Sequence, residues 1–451
     1  MANINVIDVS QAVIENRFSA EFFDPTYSFI PKNENSWIKI GRILKQCQYG
    51  ISISMNETGK GYPIYRMNEL DNCFALRPAK YANISKKEYS TFQLNKKDIL
   101  FNRTNSFDFV GRTGIYLENS ADVFASYLIR IVPNENYILP EYLTIYLNTE
   151  FGIGQIKRRA MRSINQANVS ASELKQILIF LADMSFQQDI AKLVNNAYQK
   201  RRLSKSLYTQ AQELLEKELG LDQLVLEKSM SYEASFSEVV NHGIISSYFY
   251  QPKYKQLHNL IMDKSVILHK LVENYSSGFA FTKSHISKHK TQNKLIKINN
   301  ITENGIDLMN ADSLNNNGIL AGKNEIAELG DILIGMSGTI GITGIVRDNA
   351  TGAYINQRIF RIKPRGISSE YLALILNSIV GKLQFERVCT GGVQSNISSK
   401  DILKVLIPRL DAKEDKIMEL VKLSFQAAKE SEQLLALAKN RVEDLIEGAA
   451  K

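Results

Sequence analysis

The chain has 451 residues, 44% hydrophobic and 23% charged, a balance that suits two to four globular domains and excludes a disordered or fibrous polypeptide. No run approaches the roughly 18 apolar residues of a membrane span, and the N-terminus MANINVIDVSQ lacks a basic-then-apolar signal pattern, so a cytoplasmic location and no membrane partner are expected. The net charge of +8 is compatible with a polyanionic partner, and Cys47, Cys73 and Cys389, far apart and in no CxxC, read as reduced thiols.

In chain order, VSQAVIENRFSAEFFDPTY (9–27) is followed by short β-rich runs: IYRMNEL (64–70), DILFNRT (98–104), GIYL (114–117) and YLIRIV (127–132). Gly, Asn and Ser turns separate them, which predicts a sheet-rich core. PEYLTIYLNTEFGIGQIKRR (140–159) then reads as helical, and the turn QANVSASEL (166–174) leads to residues 186–219, a stretch without Gly or Pro. There Ile190, Val194, Ala197, Leu207, Ala211, Leu214 and Leu215 recur at helical spacing, predicting one buried stripe on a helix roughly 50 Å long. Ser185 with Gln188 predicts a capping box at its start, and Gly220 a left-handed stop.

After a connector at 221–235 the order repeats. FSEVVNHGIISSYFYQPKY (236–254) aligns without a gap on 9–27, pairing Pro25 with Pro252 and Tyr27 with Tyr254. LIKINNI (295–301), DILIGMS (331–337), FRIKP (360–364), SEYLALILNSIVGKLQFERV (369–388) and QSNISSKDI (394–402) follow in the order of their counterparts. Ile417, Val421, Leu434, Ala438 and Val442 then fall on Ile190, Val194, Leu207, Ala211 and Leu215, a shift of 227 positions, with Asp411 and Glu414 opening this helix and Gly448 closing it. The chain is read as two copies of one unit. The predicted fold is α+β: two pseudo-symmetric sheet-rich domains (1–185 and 236–410) separated by two long antiparallel helices (186–220 and 411–448), with the connector at 221–235.

Two diverged β-rich units, each with a K/G-D-I-L strand, a YL helix, a Q-x-N-[VI]-S turn and a following long helix, resemble the specificity subunit of type I restriction-modification systems over essentially the whole chain. The resemblance implies two target recognition domains on double-stranded DNA, each reading one half of a bipartite, asymmetric site, with the helix pair as a ruler of about 15 base pairs. It also implies two adenine-methyltransferase (modification) subunits carrying S-adenosylmethionine, docked on the helices and inner faces of the units. Restriction/translocase subunits using ATP and Mg would join in the full complex. No cofactor is expected in this chain.

Candidate DNA-binding residues lie in loops. Arg103, Thr104 and Asn105 follow the DILF strand, and Ser337 and Thr339 follow DILI; Arg103 and Asn105 suit guanine and adenine edges, or else cap the strand and form a turn. Lys157, Arg158, Arg159 and Arg162, with Arg387 in the second copy, suit phosphates, or else form a solvated helix face. Arg66 and Arg112 are further DNA-binding candidates. Gln166 with Asn168, and Gln394 with Asn396, recur in both copies and are read as turn-forming. Lys283, His285, Lys288 and Lys290, with His289, read as a phosphate-facing loop; a shared metal on the two histidines is disfavoured without a Cys or acidic partner.

A catalytic set is not evident. GMSGTIGITG (335–344) lacks the Walker spacing and its Lys, GxGxxG and N-P-P-[YF] are absent, and neither HExxH nor GxSxG occurs. The expectation is a non-catalytic subunit that directs the chemistry of others. The alternatives are a nuclease or methyltransferase with a cryptic active site, and a coiled-coil scaffold that binds protein.

Overall fold

The computed structural model describes residues 7, 9–15, 17–27, 36–226, 231–389 and 396–450. The chain divides into two units, residues 1–202 with 427–451 and residues 203–426. Each of two long helices, Met184–Leu219 and Ala412–Ala450, therefore gives one half to each unit.

The first unit is built on a six-stranded sheet ordered Leu44–Tyr49, Leu128–Pro133, Ile99–Asn102, Thr113–Ile115, Phe74–Ala75, Leu70–Asp71. Ile99–Asn102 lies centrally and is buried along its length, which explains an apolar run without alternation. A four-stranded sheet (Val123–Phe124, Tyr62–Tyr65, Tyr81–Ala82, Met55–Asn56) adjoins it in sequence. The helices Pro140–Leu147, buried on every side, and Glu150–Arg159 complete the unit. The second unit has a four-stranded sheet (Val272–Ser277, Ile359–Pro364, Ile332–Gly335, Thr343–Ile345), a three-stranded one (Asp312–Ser313, Lys294–Ile296, Tyr354–Ile355) and the helices Ser369–Asn377 and Ile379–Val388.

The duplication is written in buried hydrogen bonds. The Tyr142 hydroxyl donates to the Phe180 carbonyl at 2.8 Å, and Tyr371 to that of Pro408 at 3.0 Å. Gln155 brackets Leu178 with a side-chain donor at 2.7 Å and acceptor at 2.8 Å; Gln384 does the same to Leu406 at 2.9 and 2.8 Å. The Asn148 amide caps the Thr113 carbonyl, and Asn377 that of Thr343. Buried Asp98 faces Arg130 at 3.6 Å, and Asp331 faces Arg361 at 3.5 Å. Burial pushes both aspartates above the ordinary carboxylate value, opposed by a backbone N–H and by the arginine. Each of these pairs joins elements far apart in sequence, so chance similarity of short motifs does not produce it.

The long helices pack antiparallel within each unit. In the first, Ile190, Val194 and Ala197 meet Ala438, Val442 and Ile446 in the core, and the Ser431 hydroxyl donates to the Ala197 carbonyl at 2.7 Å. In the second, Ala211, Leu215 and Leu219 share a core with Ile417, Val421 and Phe425, and Ser424 donates to the Ser204 carbonyl at 2.8 Å. Lys200–Glu430 (2.5 Å) and Lys413–Glu218 (3.1 Å) flank these seams.

Helix ends depart from expectation. The first helix starts at Met184, so Ser185 sits inside the first turn instead of capping it; Gln187 N–H bonds the Asp183 carbonyl. Gly220 does take the left-handed conformation, φ 70° and ψ 21°. The second helix runs to Ala450, through Gly448, because one glycine in a sustained helical context costs only about 1 kcal/mol. Glu414 opens it by accepting from Leu410 N–H at 2.8 Å and Arg409 at 2.7 Å. A helix at Lys86–Phe92, capped reciprocally by Ser85 and Glu88, interrupts the region read as strands only.

Candidate nucleic-acid interface

In the first unit three two-residue strands, Thr104–Asn105, Ala167–Asn168 and Met161–Arg162, form a small antiparallel sheet. The N–H of Val169 bonds the Arg103 carbonyl at 2.9 Å, locking the QANVS segment onto the end of the DILF strand. In the second unit Ile397 N–H bonds the Met336 carbonyl at 3.0 Å and Ser337 bridges Asn396. The recurrent Asn therefore holds a strand. Asn168 donates to Thr104 Oγ1 at 2.7 Å and accepts from Arg103 at 3.3 Å. Gln394 lies outside the described residues.

Arg103 stacks its guanidinium over the Tyr49 ring at 4.8 Å and donates to the Ser126 carbonyl at 3.3 Å; its Nε is buried without a hydrogen-bond partner. Asn105 spends its amide locally, with Oδ1 accepting from Ser106 N–H at 2.8 Å and Nδ2 near Met67 Sδ at 3.4 Å. Tyr49 and Tyr127, exposed beside Arg103, were not among the sequence candidates. Tyr49 ends one strand of the central sheet and Tyr127 directly precedes another, the signal that could have marked them.

Three cations gather at the turn following this sheet. Lys157 donates to the carbonyls of Phe107, Asp108 and Val110, the last two at 3.1 Å. Burial lowers its pKa to about 8, and Arg162 and Arg112 push the same way against Asp108. Arg162, exposed, lies over the Phe107 ring at 3.7 Å, and Arg112 over Phe109 at 4.2 Å.

Arg158 and Arg387 face inward. Arg158 donates to the Phe22 carbonyl at 2.8 Å with its guanidinium 4.0 Å from that ring; Arg387 donates to Phe249 at 3.2 Å with the ring at 4.2 Å. Phe22 and Phe249 are 227 positions apart, matching the alignment of 9–27 on 236–254. Burial holds Arg387 below the ordinary arginine value. Arg159 is buried against Glu173 at 3.4 Å, and Arg66 pairs Glu69 at 2.7 Å. In the second unit Lys283, Lys288 and Lys290 are exposed, while His285 accepts from Thr282 N–H at 3.2 Å between Phe279 and Phe281. Ser337 is buried with a hydroxyl lacking a partner, and Thr339 is exposed in the adjoining turn. Among the described residues no cluster of three or more His, Cys, Asp or Glu is placed to hold a metal.

The family model for the type I restriction modification DNA specificity domain matches twice, over residues 40–213 and 245–422, one match for each copy of the repeat. The chain belongs to that family. Among curated relatives it is similar to the putative type I restriction enzyme MjaX specificity subunit of Methanocaldococcus jannaschii, 30% identical over 34% of this chain and 37% of that protein. It is also similar to the EcoKI specificity subunit of Escherichia coli K12, 24% identical over 39% of this chain and 38% of that one. The chain thus spans under two fifths of the length of either relative in these alignments. Among solved structures, the type I restriction-modification S subunit from M. genitalium aligns over 94% of this chain and 97% of its own, at 14% identity and a TM-score of 0.39. The family assignment accounts for an α+β chain with two specificity domains and two long helices.

Proposed function

We propose that this chain is the non-catalytic DNA-specificity subunit of a type I restriction-modification complex, in which each unit reads one half of a bipartite, asymmetric site. The observation that carries this reading is a shared buried frame bearing different side chains. The bond from Val169 to Arg103 recurs as Ile397 to Met336, so Arg103, Thr104 and Asn105 correspond to Met336, Ser337 and Gly338. Two copies of one frame with unlike side chains at the same place suit two readers of different sequence.

Direct readout is assigned to the small sheet, with Arg103, Thr104 and Asn105 at its edge, and phosphate contact to Arg112 and Arg162, while Lys157 holds the turn between them through three carbonyls. In the second unit Lys283, Lys288 and Lys290 take the phosphate role beside His285, and Thr339 the loop position. Arg66 and Arg159 are spent on ion pairs with Glu69 and Glu173; Arg158 and Arg387 hold the N-terminal segment of each unit; Ser337 supports its bridge to Asn396.

Two modification subunits, bringing S-adenosylmethionine, are the proposed partners, joined by restriction subunits with ATP and Mg. Support comes from a repeated exposed set: Val9, Val13 and Phe18 in the first unit match Phe236, Val240 and Ile245 in the second, each 227 positions on. The same apolar set shown twice suits two copies of one partner. No described helix is long and apolar enough to cross a membrane. Single-molecule sequencing of methylated DNA from cells expressing the operon tests the reading: the expected result is one bipartite motif with two different halves. Methylation by the purified chain alone would overturn it.

A further inference from the structure

The hairpin Met161–Asn168 ends in a feature that neither turn chemistry nor packing explains. Ser163 N–H and Oγ both bond the Gln166 carbonyl, at 2.7 and 3.0 Å, closing a two-residue loop whose central residues are Ile164 and Asn165. Neither central residue takes a positive φ, so the loop makes no demand for Gly or Asn, and none that singles out a β-branched residue either. Ile164 is 99% exposed and Met161, on the strand leading to it, 57%. Single exposed aliphatic residues are ordinary on protein surfaces. This one stands at the tip of a projection whose base is fixed: Ala167 and Val169 are buried, and the middle strand is bonded to Thr104 and Arg103. Arg162 lies exposed on the same hairpin, over Phe107 in the turn that Lys157 caps.

An aliphatic tip beside exposed positive charge, carried rigidly by a polar sheet, has the makings of an intercalating wedge. Apolar side chains of this kind enter a base step of a duplex, unstack it and kink the axis while neighbouring cations hold the phosphates. We propose that Ile164 inserts into a base step of the half-site read by the first unit. This rests on the reading of the chain as a DNA-specificity subunit and adds a distortion to it. The wedge is one-sided: the position 228 on from Ile164 is Gly392, which has no side chain to insert.

The test uses the complex purified from cells expressing the whole operon and duplexes carrying the motif found by methylation sequencing, with 2-aminopurine placed at successive steps. Besides the adenines that the modification subunits flip out of the stack for methylation, the native complex is expected to raise 2-aminopurine fluorescence at one further step, in the half-site read by the first unit. Ile164→Ala should abolish that rise and weaken binding to the motif about tenfold, with affinity for a scrambled duplex unchanged. Ile164→Leu should restore both. Equal motif binding by the native and Ile164→Ala complexes, with no fluorescent step other than the methylated adenines, overturns the wedge while leaving motif preference, and so the functional reading, intact. Loss of partner subunits from the Ile164→Ala complex on size exclusion also overturns it, making the tip a protein contact. A native complex that does not prefer its motif over the scrambled duplex sinks the functional reading itself.

Discussion

At Lys157 an amine is held among three carbonyls of one turn, and desolvation draws its pKa down to about 8. Lysine-selective NMR titration should find one resonance with a midpoint near 8, well below the usual 10.4. The folded value lies below the unfolded one, so between roughly pH 8 and 10.4 the folded state holds fewer protons, and stability rises with pH across that window. A midpoint in the ordinary lysine range would show that the amine is solvated and free for phosphate. Arg103 provides the second prediction at this scale. Arg103→Met, which installs the residue found at the matching position of the second unit, should cost about 1–3 kcal/mol in discrimination at the half-site read by the first unit. Competition binding with single-base variants of that half-site is the check, and unchanged discrimination would remove Arg103 from the readers. The charges themselves were legible in the sequence, but their uses were not. Arg158 and Arg387 reach Phe22 and Phe249, more than 130 residues away, and nothing local to an Arg cluster says which members turn inward.

The long helices follow from periodicity, because their buried residues lie on the face that the period defines; the strand Ile99–Asn102 and the helix Pro140–Leu147, buried on all sides, follow from apolar content and length instead. Helix ends do not, since they depend on one or two bonds: Glu414 to Leu410 opens the second helix, whereas nothing at Gly448 closes it. The helix Glu150–Arg159 shows how much tertiary contact decides within a single element. A Cβ at Gly152 would lie 2.2 Å from the Tyr146 carbonyl oxygen, while one at Gly154 meets nothing within 4 Å. Gly152→Ala should therefore lower the unfolding midpoint by several degrees, and Gly154→Ala should leave it unchanged or raise it, since helix propensity favours Ala over Gly by up to about 1 kcal/mol. Gly381, whose Cβ would lie 2.1 Å from the Leu376 carbonyl oxygen, is expected to behave as Gly152 does. Thermal unfolding of the three variants decides. Equal effects at 152 and 154 would mean that the close approach is relieved by a small backbone shift.

The repeat ties the elements to the molecule. Each long helix crosses from one unit to the other, at Arg202–Leu203 and at Gln426–Ala427, so insertions at those two points lengthen both helices while leaving each unit's own contacts in place. If helix length sets the spacer of a bipartite site, the phase of the duplex must be respected as well as its length. Two added heptads amount to about 21 Å, roughly six base pairs, which would turn the second half-site to the other side of the DNA. Three heptads amount to about 32 Å, or some nine base pairs, close to the 10–10.5 of one full turn. The three-heptad variant should therefore methylate a motif with both half-sites unchanged and a spacer longer by nine or ten base pairs. The two-heptad variant should methylate poorly at any spacing. Methylation sequencing of cells carrying each operon reads both outcomes, and an unchanged spacer in the three-heptad strain would show that the helices join the units without measuring the distance between their targets.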